Sequence, residues 1–587
     1  MTTITPDGPH RPGNRAPAKP SFRPGPVVPG TLTAVSQADQ SSKTQHAKKA
    51  EKGGPGRYPG APRPEQVRPT PLADLAEQLA IPVPDGASAV QVTGITHDSR
   101  AVRPGDIYAA LPGARLHGAD FVAQAADLGA AAILTDPSGA ERAAATGLPV
   151  LAVDNPRGRM GALAVSIYGA PGEDLLQIGI TGTSGKTTTA YLIEGGLRAA
   201  LSAEGGDGPQ TGGLTGLIGT VETRIGGERI KSERTTPEAT DLQALFAVMR
   251  ERGVRAVAME VSSHALVLGR VDGCVFDVAI FNNLSPEHME FHSGMEDYFQ
   301  AKAQLFTRAR SRAGVVNIDD EYGRRLAAGE AEVPVTTFSA EGHPDADWRA
   351  CDVEVGTLGS TFTVHGPGGR KVRAASPIAG PFNVANALAA IVSLVVAGID
   401  PQTAADGVAA VPGVPGRLER VDAGQSYLAV VDYAHKTDAV ESVLRALRKV
   451  TTGKLHAVLG CGGDRDPHKR APMGAAVARL ADTAILTSDN PRNEDPLAIL
   501  ATMLAGAAEV PVHERGTVLV EEERAAAIAA AVARAEPGDT VIVAGKGHEQ
   551  GQDIAGVVRP FDDRQVLRAA IEEAQKSQQS QQPNHQG

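Results

Sequence analysis

The run TGTSGKTTT, Thr181 to Thr189, follows the apolar stretch Leu175–Ile180 and precedes a helical pattern at Tyr191, Leu192 and Leu197. A glycine-rich turn between a buried strand and a helix points backbone N–H groups at phosphate oxygens. Gly182 and Gly185 let the backbone come close, and Thr183, Ser184 and Thr188 complete the cradle. Lys186 can reach the β- and γ-phosphates, and Thr187 offers a hydroxyl to Mg²⁺. The usual spacing puts a glycine five residues before Gly185. Ile180 stands there, so the loop is a compressed variant. The chemistry implied is binding of a nucleoside triphosphate, ATP.

Other polar clusters follow apolar strands. EVSSH (Glu260–His264) places a carboxylate beside the phosphate loop, a natural partner for Mg²⁺, which prefers one or two carboxylates plus phosphate oxygens. NNLSPEHMEFH (Asn282–His292) packs two histidines and two glutamates into its last six residues, a density that suits metal or substrate contacts. A helix expected to open at Ser293, with Glu296 completing a capping box, carries Lys302 on the same stripe as Tyr298, Phe299, Leu305 and Phe306. A bare ammonium there is costly, so it either snorkels to water or is modified. Near the end come DYAHK (Asp432–Lys436), GCGGDRD (Gly460–Asp466), SDNPR (Ser488–Arg492) and GKGHE (Gly545–Glu549). Arg465 and Arg492 suit a carboxylate, because guanidinium is a planar bidentate donor. Glu549 supplies the opposite charge, so these loops suit an amino acid.

The elements that must position these groups read as α/β. Apolar strands Leu176–Ile180, Ala256–Val261, Val275–Phe281 and Ala313–Asn317 alternate with helices, which indicates a parallel sheet covered on both faces. A β-rich insert is expected at Asp352–Ala374. A second such unit follows from Gly413, with strands Tyr427–Val431, Leu455–Gly460, Ala484–Thr487 and Thr540–Ala544. Short strands Val90–Ile95, Ile107–Ala110, Ala131–Leu134 and Val150–Val153 with a helix at Ala119–Leu128 precede both. Ligands of open parallel sheets bind outside the carboxyl ends of strands, where all these clusters fall.

Composition narrows the class. The chain has 587 residues, 42% hydrophobic and 21% charged. No apolar run approaches the ~18 residues of a membrane span, and MTTITPDGPHRPG lacks the apolar core of a signal peptide. Cys274, Cys351 and Cys461 have no paired spacing, which suits a reducing cytosol. Residues 1–68 hold eleven Lys/Arg and four Asp/Glu, so the remainder of this −11 chain carries −18. An acidic body with 4% aromatics is a poor nucleic-acid binder. Pro, Gly, Ser, Gln and Lys crowd residues 1–68, and 576–587 read similarly, so both are expected to be disordered tails.

Taken together, HDSR…PGD (His97–Asp106), TGTSGKTT, TTP (Thr235–Pro237), EVSSH, NLSPEH, GPFNVANALAA (Gly380–Ala390), GVPGRLE (Gly413–Glu419), DYAH and DNPR closely resemble the Mur ligase family, over roughly Pro71 to Glu573. The resemblance implies three domains. These are an N-terminal α/β domain for the UDP end (69–170), a central P-loop ATPase-like parallel-sheet domain (171–412) and a C-terminal Rossmann-like domain for the amino acid (413–575). It implies the member that adds the third stem residue to UDP-N-acetylmuramoyl-L-alanyl-D-glutamate with ATP and Mg²⁺, in the cytoplasm. A monomer is expected, although the resemblance does not imply it. DNPR is the family's mark for meso-2,6-diaminopimelate rather than lysine. By resemblance Arg465, Asp489, Asn490, Pro491, Arg492, Gly545 and Glu549 line the diaminopimelate site. Ser99, Thr235, Thr236, Ser262 and Arg270 hold the UDP-muramoyl-dipeptide, and Asn386, Arg417 and Asp432 contact ATP. Lys302 falls on a lysine that the family carbamylates. The resemblance further implies Lys186, Glu260, His288 and Lys302 as catalytic, with Thr187, Glu260, His288 and carbamylated Lys302 as metal ligands. Three positions depart from the family pattern: Glu287 replaces the usual Asp before the histidine, Leu268 replaces a substrate-binding glutamine of some relatives, and DYAH continues Lys436-Thr437 instead of Thr-Pro.

Overall fold

The computed structural model describes residues 60–113, 115–204 and 214–581. Three sheets succeed one another along the chain. The first has four parallel strands in chain order: Gly94–Thr96, Asp106–Ala110, Ala132–Thr135 and Val150–Ala152. The second has eleven strands. Its middle is parallel, in the order Thr215–Ile218, Ala256–Glu260, Leu176–Thr181, Phe276–Phe281, Ser311–Asn317, Val335–Ser339 and Trp348–Val355. These strands are near-continuous apolar runs because both faces are buried. Val278 and Ile280 enter one core cluster and Ala279 and Phe281 the other, as the two-residue strand period requires. Helices Lys186–Glu204 and Pro381–Val396 cover one face, and Ala239–Glu251 and Met295–Ala303 the other.

Strand Leu176–Thr181 lies where the winding of this sheet reverses. The chain runs from it to the Thr215–Ile218 side, then crosses back to Phe276–Phe281 on its opposite flank. Such a switch point opens a crevice at the carboxyl ends. The third sheet places Leu428–Asp432, Thr540–Ala544, Leu455–Cys461 and Thr483–Ser488 side by side and parallel, so the loops that follow them share one edge. One core cluster runs from the second sheet into the third, joining Ala387 and Leu388 to Val440, Leu444 and Ile542.

Several sequence expectations change. Residues 60–68, read as tail, are packed. Arg63 donates to Asp106 Oδ2 at 2.6 Å, and the Glu65 and Gln66 amides donate to Glu251. Helix Asp563–Gln581 runs through the first six residues of the expected C-terminal tail. Positions 1–59 and 582–587 lie outside the described residues. The β-rich insert is no separate body. Ser360–Gly366 and Arg370–Ser376 extend the edge of the eleven-stranded sheet, pairing antiparallel onto Trp348–Val355. Val90–Ile95 is broken, with Gln91–Val92 and Gly94–Thr96 in different sheets. The helix expected at Ala119–Leu128 opens as a 3₁₀ turn, Gly118–Phe121, and is α-helical only over Val122–Asp127. The helix expected at Ser293 begins at Met295, because Gly294 is fully extended there. Asp297, not Glu296, reaches back to the Ser293 amide at 3.0 Å, while Glu296 pairs outward with Arg325.

Beneath the loop-bearing edge of the third sheet lies a wholly buried ion pair. Arg524 makes two 2.7 Å bonds to the carboxylate of Asp563. Its remaining N–H groups donate to the carbonyls of Ser488 at 3.3 Å and Ala544 at 3.0 Å, the residues that launch the SDNPR and GKGHE loops. Removing one partner of such a pair strands a buried charge and costs about 3–5 kcal/mol. Arg524→Met is expected to lower unfolding free energy by that amount in urea titration. A loss below ~1 kcal/mol would contradict the assignment.

Candidate active site

The Thr181–Thr189 loop is held from both sides. Asn283 from the neighbouring strand end accepts from the Ser184 amide at 2.9 Å and donates to its carbonyl at 3.2 Å. Thr183 Oγ1 donates to the Ser285 carbonyl and accepts from the Ser285 amide. Gly185 adopts φ +85°, and a Cβ there would lie 2.2 Å from Asn386 Oδ1. The glycine is thus required both by backbone conformation and by close approach. Asn386 belongs to helix Pro381–Val396, so that helix packs directly against the phosphate turn.

Lys186 and Lys302 converge on one oxygen. Lys186 Nζ donates to the Gly182 carbonyl at 2.8 Å, and Lys302 Nζ to the same carbonyl at 2.9 Å. Lys302 is 1% exposed, with Nζ 4.6 Å from the Tyr298 ring centroid. It has not snorkelled. Burial, then the neighbouring Lys186 charge, pushes its pKa well below the ordinary lysine value. Burial also lowers Lys186, against the opposing pull of Glu287.

A cavity of 520 Å³ opens in front of this loop. Gly185, Lys186 and Thr187 line it, together with Glu260, His288, Asn386, Arg417 and Asp432. The buried Glu260 carboxylate accepts from the amide of Thr220 at 2.7 Å and from its hydroxyl at 3.1 Å, both neutral donors. Asn282 Oδ1, in the same wall, is buried without a hydrogen-bond partner. A carboxylate, a hydroxyl and an unpartnered carbonyl oxygen form a donor set that fits Mg²⁺. Among the described residues no group of three His, Cys, Asp or Glu side chains could by itself hold a metal ion. Burial lowers the pKa of His288, which favours the neutral ring. His288 sits 6.2 Å from the Tyr298 ring, so it and Lys302 flank the same tyrosine. His292 is a core histidine, hydrogen-bonded to Ser263 and Asp297. Arg417 donates to Thr187 Oγ1 at 3.2 Å and stacks on Tyr433. Burial raises Asp432, whose two oxygens hold the Leu418 and Ala434 amides, so it shapes the turns around the cavity.

A second cavity, of 710 Å³, contains Ser99 with His97, Asp98 and Tyr108. Ser99 Oγ donates to Gln124 at 3.0 Å. Gly60, Ala61 and Pro62 line it as well, residues that their tail-like composition concealed. One segment joins the two cavities. Lys231–Arg234 and Pro237 line the second, and Thr235 between them lines the first, 3.0 Å from Thr220. Ser262 lines the first cavity as well. Thr236, expected among the substrate contacts, is fully buried, and its hydroxyl donates to the Glu260 carbonyl at 2.9 Å. Arg270 lines neither cavity. It pairs with Glu238 at 2.9 Å, and burial lowers its pKa.

On the third sheet the expected amino-acid loops meet. Asn490 Nδ2 donates to Glu549 Oε2 at 2.9 Å. Gly545 has φ +112°, and a Cβ there would approach Asp489 to 2.6 Å. Arg492 donates to the Gly463 carbonyl at 2.6 Å. Arg465, exposed, flanks the same loop: a Cβ on Gly462 would lie 3.0 Å from Arg492 and 4.0 Å from Arg465. Pro491 packs its carbonyl against Gly463. Residue-by-residue reading missed Lys546. It is fully buried and ties Asn490 Oδ1 at 2.9 Å to Glu549 at 3.2 Å. This cluster abuts the first cavity through His548, whose ring lies 5.2 Å from that of Tyr433.

Three family models match the chain: "Mur ligase family, catalytic domain" at residues 91–168, "Mur ligase middle domain" at 180–394 and "Mur ligase, glutamate ligase domain" at 416–547. The UDP-N-acetylmuramoyl-L-alanyl-D-glutamate--2,6-diaminopimelate ligase of Streptomyces coelicolor is 80% identical over 518 residues, covering 88% of this chain and 99% of that protein.

The chain belongs to the Mur ligase family.

Among Mur ligases, the Corynebacterium glutamicum protein of the same name is 48% identical, over 83% of this chain and 93% of its own. A solved UDP-N-acetylmuramoyl-L-alanyl-D-glutamate--2,6-diaminopimelate ligase superposes with a TM-score of 0.62 at 30% identity, covering 86% of this chain and all of that one. In this Mur ligase, Gly185→Ala is expected to weaken nucleoside triphosphate binding at least tenfold in equilibrium titration. The methyl cannot fit beside Asn386 without moving the turn, and overpacking costs ~1–3 kcal/mol. Unchanged affinity would contradict the required close approach.

Proposed function

We propose that this protein joins meso-2,6-diaminopimelate to UDP-N-acetylmuramoyl-L-alanyl-D-glutamate, at the expense of ATP, in cytoplasmic assembly of peptidoglycan precursors. The observation that carries the reading is spatial. A cavity for the uridine end and a phosphate-loop cavity are joined by one segment, Lys231–Pro237, and the phosphate-loop cavity abuts a cluster offering both guanidinium and carboxylate. An elongated nucleotide-sugar peptide fits the first two, and a zwitterion with an extra carboxylate fits the third. Residues 69–170, 171–412 and 413–575 then serve the uridine end, ATP and the amino acid respectively, in a monomer with no nucleic-acid or membrane partner. The close likeness to proteins named as diaminopimelate ligases supports the same choice.

In the reaction, the free γ-carboxylate of the D-glutamyl residue attacks the γ-phosphorus of ATP. A P–O bond forms to the carboxylate and the β–γ bridging bond breaks, releasing ADP. The amine of diaminopimelate then attacks the acyl carbon, a proton leaves the nitrogen, and the tetrahedral intermediate expels phosphate as the amide forms. The loop amides and Lys186 receive the phosphates, and Lys186 must leave the Gly182 carbonyl to do so. Ser99 meets the uridine end, and Thr235 and Ser262 serve the muramoyl-peptide; Arg270, which lines neither cavity, can serve it only by leaving Glu238. Arg492 and Arg465 hold the carboxylate that distinguishes diaminopimelate from lysine, with Asn490 and Glu549 holding its ammonium. Thr187 and Glu260 would hold one Mg²⁺, and His288 with carbamylated Lys302 a second, screening the two anions that must meet. Lys302 suits carbamylation because its burial favours the uncharged amine, the form that attacks CO₂. Exclusion of water protects the acyl phosphate.

The deciding assay is ATP-dependent amide formation with diaminopimelate and lysine side by side. Diaminopimelate is expected to be preferred, and Arg492→Ala is expected to erase roughly 10- to 100-fold of that preference, the worth of a charge-assisted pair. An unchanged preference would remove Arg492 from the specificity site. Lys302→Ala is expected to be slower by on the order of 100-fold, with partial recovery in added short carboxylates. Full activity without rescue would show that the carbamate has no part.

A further inference from the structure

Glu287 and Lys436 form an ion pair across the phosphate-loop cavity, and both line it. They come from different sheets. Glu287 lies in the loop that follows strand Phe276–Phe281, and Lys436 in the loop that follows strand Leu428–Asp432. Lys436 also stands at the N-cap of the 14-residue helix Thr437–Val450, where it gives no side-chain cap. The helix therefore presents its amide end and an ammonium to the same side, an arrangement that favours an anion. Two residues on, Asp438 accepts from Ser285 Oγ at 3.2 Å, so two residues of the Glu287 loop grip two residues at the start of this helix. Both members of the pair are largely withdrawn from solvent, with side-chain exposures of 14% and 21%.

A carboxylate in a triphosphate cavity is a like charge next to the ligand. With no nucleotide beside it, that carboxylate needs a facing cation, and one ammonium cannot face a carboxylate and a phosphate equally. Resting on the ATP reading above, we propose that Lys436 is a second triphosphate-binding lysine, held on Glu287 as a stand-in anion until the nucleotide takes it over. Exchange of partners transfers the third sheet's lysine from the Glu287 loop to the phosphates. That gives the amino-acid-bearing part of the molecule a direct contact with the nucleotide, so arrival of ATP is sensed by the sheet that must next deliver the amine.

The two ends of the pair then have opposite effects, which a purely structural bridge would not. The test is equilibrium binding of ATP to the full-length protein, in the absence of both other substrates, with thermal unfolding followed in parallel. Lys436→Met is expected to weaken ATP binding about tenfold, and Glu287→Gln to tighten it by about threefold by releasing the lysine. The double variant Glu287→Lys with Lys436→Glu rebuilds a bridge of reversed polarity, and is expected to bind ATP no better than Lys436→Met. Equal weakening by both single variants, or recovery of ATP affinity in the double variant, would overturn the proposal and leave a structural latch. ATP-dependent ligation by the unaltered protein is measured alongside. Its failure would strike the functional reading itself, whereas normal ligation with the wrong signs in the variants strikes only the role of Lys436.

Discussion

Two amines compete for one carbonyl, and the organisation of the site follows from that crowding. Lys186 and Lys302 both donate to Gly182 O, within 2.8 and 2.9 Å, in a region from which water is largely excluded. Two full positive charges so placed repel each other strongly at low dielectric. The strain is relieved if one amine is neutral, if one is converted to an anion, or if a polyanion arrives to draw Lys186 away. Each route makes the loop responsive to what occupies the cavity. Gly182 supplies the shared carbonyl, and the switch point of the sheet supplies the opening.

The surroundings serve the same constraint. An acidic chain cannot collect ATP and two anionic building blocks by a broad basic field, so its positive potential is local. It comes from loop amides, helix N-termini and single cations such as Arg417, Lys436 and Arg492. Each is countered by a carboxylate or carbonyl: Arg417 by Gly416 O, Lys436 by Glu287 and Arg492 by Gly463 O. Burial pushes Glu287 up, but Lys436 and Lys186 outweigh it and hold the carboxylate near about 2, so this charge persists across the physiological range. Ligand binding here is an exchange of partners more than a filling of empty space.

What the chain shows before folding is what depends on neighbours in sequence. The glycine spacing of the phosphate loop, the apolar strands before each polar cluster and the stripe that buries Lys302 are local patterns, and all reappear. What stayed hidden depends on juxtaposition. Lys546 read as one residue of a glycine turn, because its importance lies in joining Asn490 and Glu549, 56 and 3 residues away. Arg524 belongs to none of the motifs, and only the fold closes two carbonyls and Asp563 around it. Glu287 and Lys436 were noticed singly, as two departures from the family pattern, and only the fold shows that they are partners. Residues 60–62 mislead for the opposite reason: Gly, Ala and Pro have a tail's composition, yet they line the same cavity as Ser99.

The backbone itself carries part of the function. Eight non-glycine residues among those described have φ in the left-handed region, and His288, Leu418, Asp464 and Arg492 are four of them, all in loops around the two ligand clusters. Each such conformation costs of order 1–3 kcal/mol and persists only where neighbours over-determine it. Arg492 is pinned by its amide to Asp553 O at 3.0 Å, by its carbonyl to the Ala555 amide at 2.6 Å and by its guanidinium to Gly463. Leu418 is pinned by Asp432, which explains why a carboxylate is kept buried there despite its raised pKa. Strain at these positions fixes the backbone at His288, at Arg492 and in the Arg417–Leu418 turn. The shared apolar core and the buried Arg524–Asp563 pair offset that cost at a distance from the chemistry. Preorganisation of the site and rigidity of the sheet edges are therefore one requirement, since loops under strain can aim a side chain only if the strands beneath them do not yield.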